Sequence, residues 1–304
     1  MLTDPDVDWI SQHLDSQITN NVRQWLSLPI STCVSETLSL PKSKGGFAIP
    51  SLKDTAKRMR LASRRSLQAS TQDDMRALWR AITNENRQID CIAQNTPKTS
   101  DALKLLKQSQ ECAAYSHVTS LVTQGVLVTA VTNTLSRSEV ARWSDVTMGL
   151  SEVLFKFARK ALMQQLPTAS NLRRWGRGGD GNCRCGSPQT NKHVLSNCGL
   201  PNSLERYTRR HDAVLSVLTH WITSSLSATN SGTYKLLSDL EDGNSSVTDV
   251  FKSLRPDIVL VGNHNIVTLE LTICHESNLL RSRQYKCDRY KDIALDLRNQ
   301  YANF

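Results

Sequence analysis

Between Arg255 and Leu297 the apolar positions run first as a continuous block, then in alternation, then at helical spacing. This succession predicts a small β-structure covered by a helix. Ile258 to Val261 is one β-rich run, Gly262-Asn263-His264-Asn265 is turn chemistry, and Ile266 to Ile273 is a second run. Two such runs joined by Gly and Asn predict a hairpin. In the second run Ile266, Thr268, Glu270 and Thr272 share one face, and Val267, Leu269, Leu271 and Ile273 share the other. Glu270 is therefore expected on the polar side. Arg281 to Leu297 predicts a helix in which Lys286, Tyr290, Ile293 and Leu297 form the stripe that packs on the sheet.

Upstream, Trp9, Ile10, Leu14, Ile18, Val22, Trp25 and Leu26 recur every three or four positions, which predicts an amphipathic core helix ending at Leu28-Pro29. Leu40 to Leu52, punctuated by Pro41, Gly45, Gly46 and Pro50, predicts a loop with a short extended piece. Residues 51–167 read mostly as helices with turns near Asn95-Thr96-Pro97 and at Gly125, and Val118, Leu121, Val122 and Leu127 read as core. Lys57 to Arg65 carries five positive charges in nine residues. That run is either a solvated helix face or a surface that neutralises phosphates. Gln72-Asp73-Asp74-Met75 lies in a charged helical region without strand signals and is given no catalytic role.

Leu166 to Trp175 predicts a capped helix start, followed by a flexible Gly-rich linker from Gly176 to Gly181. Trp175, between Arg173, Arg174 and Arg177, is either a packing residue or a platform for a base. Ser203 to Leu226 predicts a helix with Val214, Leu215, Leu218 and Trp221 on its apolar side, and Ser224–Gly232 and Asp242–Ser246 predict surface loops.

Composition adds three constraints. There is no run of about eighteen apolar residues to span a bilayer, and Met-Leu-Thr-Asp-Pro has neither the basic nor the apolar region of a secretory signal. A net charge of +9, from 37 basic and 28 acidic residues, favours a polyanionic partner. Of eight cysteines, Cys183, Cys185 and Cys198 cluster with His193, whereas Cys33, Cys91, Cys112, Cys274 and Cys287 read as ordinary buried or half-buried thiols. Three thiolates and one imidazole make a closed tetrahedral set suited to structural Zn²⁺, against the alternative of three free thiols.

The hairpin and its helix carry a second candidate site. Asp257 opens one strand, Glu270 belongs to its partner and Lys286 to the covering helix, so the three can converge. Two carboxylates bind a hard cation such as Mg²⁺, and an ammonium can stabilise an anionic transition state or orient water. Taken singly, Pro-Asp is strand punctuation, a Glu on a polar face is solvated and a Lys on a stripe reaches out to water.

Pro256-Asp257, Glu270 thirteen positions on, and Lys286-x-x-x-Tyr290 on the next helix resemble the restriction-like endonuclease of site-specific non-LTR retrotransposons, a PD-(D/E)xK nuclease variant. The family usually carries Asp where Glu270 stands. Three further stretches are similar to the same polyproteins in the same order: Leu40-Pro41 with Gly45-Gly46-Phe47-Ala48-Ile49-Pro50-Ser51-Leu52 resembles the end of the reverse-transcriptase thumb, Leu166-Pro167-Thr168 to Trp175 the segment before the knuckle, and Thr190 to Cys198 the knuckle. Arg210-His211-Asp212 is similar to the element that opens the nuclease.

The resemblance implies an α+β chain whose first two-thirds are mostly helical, followed by a small zinc knuckle and a PD-(D/E)xK-like core. The implied parts are a thumb end (residues 1–50), helical linker (51–170), knuckle (171–200) and endonuclease (201–304), from a longer polyprotein truncated at both ends. It also implies a nuclear enzyme that nicks target DNA for target-primed reverse transcription, with DNA and the element's RNA as partners and neither a membrane nor a small-molecule substrate. Asp257 and Glu270 would hold Mg²⁺, Lys286 would assist the attacking water, Tyr290 would brace the lysine or DNA, and Cys183, Cys185, His193 and Cys198 would hold structural Zn²⁺. Arg173, Arg174, Arg209, Arg210 and His211 would contact nucleic acid. Two other readings stand beside this one: a catalytically inert nucleic-acid-binding remnant, and a zinc-stabilised interaction protein.

Overall fold

Helical spacing of the apolar residues becomes helix through most of the chain. The computed structural model describes residues 3–82, 95–133, 137–228, 234–240, 251, 254–263 and 265–300. Among them helices predominate and one three-stranded antiparallel sheet occurs, which makes the chain α+β. Contacts divide it into two units, Met1–Pro167 and Thr168–Phe304. No helix among the described residues is long and apolar enough to cross a membrane.

In the first unit, α1 (Asp4–Trp9) starts at a Thr3/Asp6 capping box with Pro5 beside it, passes through a π turn (Ile10–Asp15) and continues as α2 (Ser16–Trp25). The π turn inserts a residue into the 3.6 period and rotates the downstream face. Trp25, downstream of it, is exposed, as are Leu14 within it and Trp9 before it, all expected in the core, while Val7 and Leu26 are buried and Ile18 and Val22 pack against the cluster of Leu26, Leu28 and Phe155. Ser27, at φ +51, turns the chain before Pro29.

A short helix, α3 (Ser35–Ser39), precedes the predicted loop. The loop is tied back on α3 by Phe47 N–H to Thr37 O (3.2 Å) and Ile49 N–H to Leu38 O (2.8 Å). Gly46 lies so close to α3's end that a Cβ there would sit 2.1 Å from the Leu40 carbonyl oxygen, so only glycine fits. Gly46→Ala is expected to destabilise this unit by ~2–4 kcal/mol, read as a lower denaturant midpoint at unchanged m-value. An unchanged midpoint would contradict that packing.

Asp15 caps the next helix, α4 (Leu52–Gln68), accepting from Ser51 Oγ (2.8 Å), Leu52 N–H (2.8 Å) and Lys53 N–H (3.0 Å). The basic run on α4 is not a solvated face. Arg60 and Arg64 share a stripe with Ala56 and Leu67 and are buried; Arg60 pairs with Asp4 and Arg65 donates to the carbonyls of Thr96 and Pro97. Their position on the inward stripe decided this, and their charge is met inside the unit. The remaining helices are α5 (Asp73–Ile82), α6 (Thr99–Ser120), α7 (Val126–Asn133), α8 (Arg137–Met148) and α9 (Glu152–Leu162). Val118 is buried as expected, but Val122 is 92% exposed because α6 ends at Ser120 and Val122 lies in the turn.

The second unit begins with α10 (Ala169–Arg174), the knuckle and α11 (Pro201–Ala228). α11 runs past the expected loop start at Ser224, because the hydroxyls of Thr223, Ser225 and Ser227 each bond the carbonyl four residues back and so do not compete with the helix. Residues 229–232 and the Asp242–Ser246 stretch lie outside the described residues, as do Cys91 and His264. Trp221 and Val214, expected on the buried side of α11, are exposed at 66% and 38%, and Leu215 alone on that helix is fully covered among the described residues. Cys112 and Cys287 are exposed rather than buried.

The hairpin forms as predicted: β2 (Ile258–Val261) pairs with β3 (Ile266–Leu269) in the register Ile258↔Leu269 and Val261↔Ile266, and Gly262 N–H closes the turn on Asn265 O at 2.7 Å. A strand the periodicity did not reveal, β1 (Lys235–Ser238), pairs on the other edge of β2. α12 (Leu279–Gln300) covers the sheet with Ile293 and Leu297 in a core that includes Leu237, Phe251, Val259 and Ile266. The faces of β3 are reversed from expectation. Ile266 and Thr268 look inward, and Val267 and Leu269 are exposed at 42% and 41%. Glu270, one residue past β3, therefore turns toward α12 instead of solvent.

Candidate functional site

The reversal of β3 brings two acids and a lysine together. Asp257, at the entrance of β2, is buried and accepts from Leu271 N–H (2.6 Å) on the segment leaving β3. Lys286 Nζ, from the second turn of α12, lies 3.5 Å from Asp257 Oδ2 and closes an ion pair with Glu270 Oε2. Three turns of α12 then carry the stripe inward, with Tyr290 against the core beside Ile293 and Leu297. Burial pushes the Tyr290 phenol upward, and the neighbouring Glu270 carboxylate pushes it further, so it stays protonated at neutral pH. Its hydroxyl faces the Glu270 carboxylate, whose Oε1 is buried.

A fourth residue joins from α11. His211 Nε2 lies 3.2 Å from Asp257 Oδ1, and its Nδ1 lies 3.2 Å from Asp212 Oδ1. Asp239 backbone N–H, just past β1, donates to the Asp257 carbonyl at 3.1 Å, and burial raises the Asp239 carboxyl. Sequence spacing gave His211 no link to Asp257, because the two lie on elements that only the fold brings together. The single signal available was the His-Asp pair itself.

The other basic residues divide by surroundings. Arg173 is exposed and its Nη1 donates to Asp180 O (2.9 Å), bracing the Gly-rich stretch whose Gly181 carbonyl accepts from Gln189 N–H and Ser170 Oγ, each at 2.9 Å. The end of the supposed flexible linker is thus held to α10. Arg174 is exposed, and Arg209 is exposed with an i,i+4 partner, Glu205, at 2.5 Å. Arg210 is turned inward: Nη2 donates to the carbonyls of Leu195 (2.8 Å) and Ile273 (3.1 Å), tying the knuckle to the segment after β3. Trp175 is half-buried, with Arg177 over its ring at 5.9 Å.

The knuckle is folded around its four candidate ligands. Cys183 N–H to Ser187 O (2.8 Å) and Gly186 N–H to Cys183 O (2.9 Å) close a tight turn, and Gly186 supplies the left-handed φ of +85 that it needs. A π turn (His193–Asn197) then sets His193 and Cys198, both buried, facing that turn. Tyr207 Oη fastens it, accepting from Cys198 N–H (3.1 Å) and lying 3.0 Å from Val194 O. Val194, beside His193, is 41% exposed. Cys183 Sγ and Cys198 Sγ lie 3.8 Å apart, Cys185 Sγ and His193 Nε2 3.3 Å, and all four donors fall within 4.8 Å of one another. A tetrahedral zinc at its usual 2.0–2.3 Å bonds sets donors about 3.3–3.8 Å apart. The Cys₃His group can therefore hold a metal such as zinc. The Ser203 hydroxyl and the Leu200 N–H bring the Cys198 thiol down to about 6, which favours the ligating thiolate.

His275 braces the same region. It is buried, its N–H donates to Ser196 Oγ (2.8 Å), and its Nδ1 accepts from Ser277 N–H (3.3 Å), which leaves the ring neutral with Nε2 as donor near Glu276. Burial lowers its pKa below the ordinary 6.5. The unfolded chain then binds a proton first, so this contribution to stability is present above pH ~6.5 and is lost as pH falls toward the folded value. His275→Asn keeps an oxygen acceptor for Ser277 N–H and removes the titration. Wild type is expected to lose stability between pH 7 and 5 with a steeper slope than the variant, by at most ~1.4 kcal/mol per pH unit for one proton. Equal slopes would show that His275 does not titrate as described.

No protein-family model matches this chain, and no curated protein matches it.

Proposed function

We propose that the second unit is a metal-dependent DNA-nicking module, retrotransposon-derived, acting in the nucleus on a DNA target that the element's RNA uses for primed reverse transcription. One observation carries this reading: Lys286, Asp257 and Glu270, from a helix, a strand entrance and a strand exit, meet at one point as the sequence resemblance requires. The donor set suits a hard divalent ion, since both acids offer carboxylate oxygens and Glu270 Oε1 is buried. Asp257 and Glu270 would hold Mg²⁺, which when bound supplies Lewis acidity to a phosphate oxygen. Lys286 orients the attacking water or stabilises the pentavalent phosphate charge. His211 stands between Asp257 Oδ1 and Asp212 Oδ1 and would position the Asp257 carboxylate, while the protonated Tyr290 faces Glu270. Arg173, Arg174 and Arg209, all exposed, would meet phosphates, and Zn²⁺ in the knuckle would be structural.

A second reading, an inert nucleic-acid-binding remnant, is favoured by Lys286 itself, which bridges both carboxylates and occupies the space between them. Incubation of the full chain with supercoiled plasmid and Mg²⁺ separates the two. Open-circle product from wild type supports the nuclease; salt-sensitive DNA binding without any product supports the remnant.

A further inference from the structure

In the first unit a thiol, a carboxylate and an imidazole come together. Cys33 Sγ lies 3.0 Å from Glu36 Oε2 and 3.9 Å from His117 Nδ1, and His117 Nδ1 lies 3.0 Å from Glu36 Oε1. The three donor atoms fall within 4.8 Å of one another. Zinc at its usual bond lengths separates such donors by about 3.3–3.8 Å, and the observed distances bracket that range.

The backbone around the cluster is fixed from two sides. Gln124 accepts from Cys33 N–H (2.7 Å) and donates to Ser31 O (3.1 Å), and Thr37 Oγ1 donates to Cys33 O (2.7 Å). Glu36 stands in the first turn of α3 and His117 in the last turn of α6. Glu36 and His117 line a cleft of about 790 Å³, and Cys33, half-buried, lies beside them. Three ligands with one side open is the arrangement of a metal site that retains a water, unlike the closed four-ligand knuckle.

We propose that Cys33, Glu36 and His117 form a second metal site, for Zn²⁺ or a similarly borderline divalent ion, with its fourth position open to the cleft. Sulfur and imidazole select against Mg²⁺ and Ca²⁺. On binding, the proton that Cys33 donates to Glu36 leaves to solvent and a metal–sulfur bond takes its place, so uptake releases a proton. The proposal is independent of the nuclease reading, because none of its residues belongs to that site.

The test is a metal count on the full chain, stripped and reloaded with Co²⁺, whose sulfur charge-transfer absorption reports thiolate ligation. After dialysis against excess Mg²⁺, which displaces Co²⁺ from sites made of carboxylates alone, wild type is expected to hold about two cobalt ions per chain, and Cys33→Ser and His117→Ala about one each. Cys185→Ser is expected to weaken the knuckle ion while leaving a cobalt–sulfur band from Cys33. His117 is more than half exposed, so its replacement leaves packing intact even where Cys33→Ser does not, and circular dichroism checks each fold. A wild-type count of about one that neither Cys33→Ser nor His117→Ala lowers overturns the site, as does a second ion that both variants keep.

Discussion

Withdrawing the knuckle metal with a chelator, or replacing Cys198 by Ala, is expected to lower the melting temperature of the metal-loaded protein by roughly 10 °C. An ion present at about a thousand times its dissociation constant stabilises the folded state by ~4 kcal/mol, and a unit of this size shifts by a few degrees per kcal/mol. The effect should spread beyond the knuckle. Arg210 ties the Leu195 carbonyl to that of Ile273, and His275 N–H is bonded to Ser196, so loss of the π turn also frees the segment leading into α12. Hydrogen exchange would show this as faster exchange at residues 273–278 in the chelated protein. Coincident melting curves with and without chelator would sink the idea that an ion holds this turn.

Asp257→Asn is expected to abolish plasmid nicking, by a factor on the order of 10² or more, while the protein stays folded. The amide keeps an oxygen to accept from Leu271 N–H, whereas Asp257→Ala would leave that buried donor unsatisfied at ~1–3 kcal/mol and confuse instability with lost chemistry. What the amide removes is the negative charge that both His211 and Lys286 face. Lys286→Met should also lose nicking, yet with a different thermal signature. Removing the ammonium leaves Asp257 and Glu270 without their shared cation, so the variant should be stabilised by added Mg²⁺ more than wild type is. Undiminished nicking by Asp257→Asn would exclude this acid from the chemistry, and equal Mg²⁺ stabilisation of the two proteins would exclude the paired carboxylates as its site.

The amino-acid sequence by itself determined the hairpin, the covering helix and the grouping of the knuckle ligands. These follow from local causes. A Gly/Asn turn between two adjacent β-rich runs favours a hairpin, the stripe of Lys286, Tyr290, Ile293 and Leu297 lies on one helix face, and Cys183 to Cys198 spans too little chain for its donors to separate far. Tertiary structure alone decided which side of β3 is inside. Alternation fixes which residues share a face but not which face is covered, and Ile266 against Phe251 and Val259 outweighed Val267 and Leu269, turning Glu270 to the helix. The same holds for the basic run, where Arg60 and Arg64 are carried inward by stripe position and Arg60 is met by Asp4, distant in sequence. It holds as well for the π turn in the first helix, for strand β1, and for His211 beside Asp257. Each depends on contacts between segments far apart along the chain, and periodicity within one segment carries no information about what the other will bring to meet it.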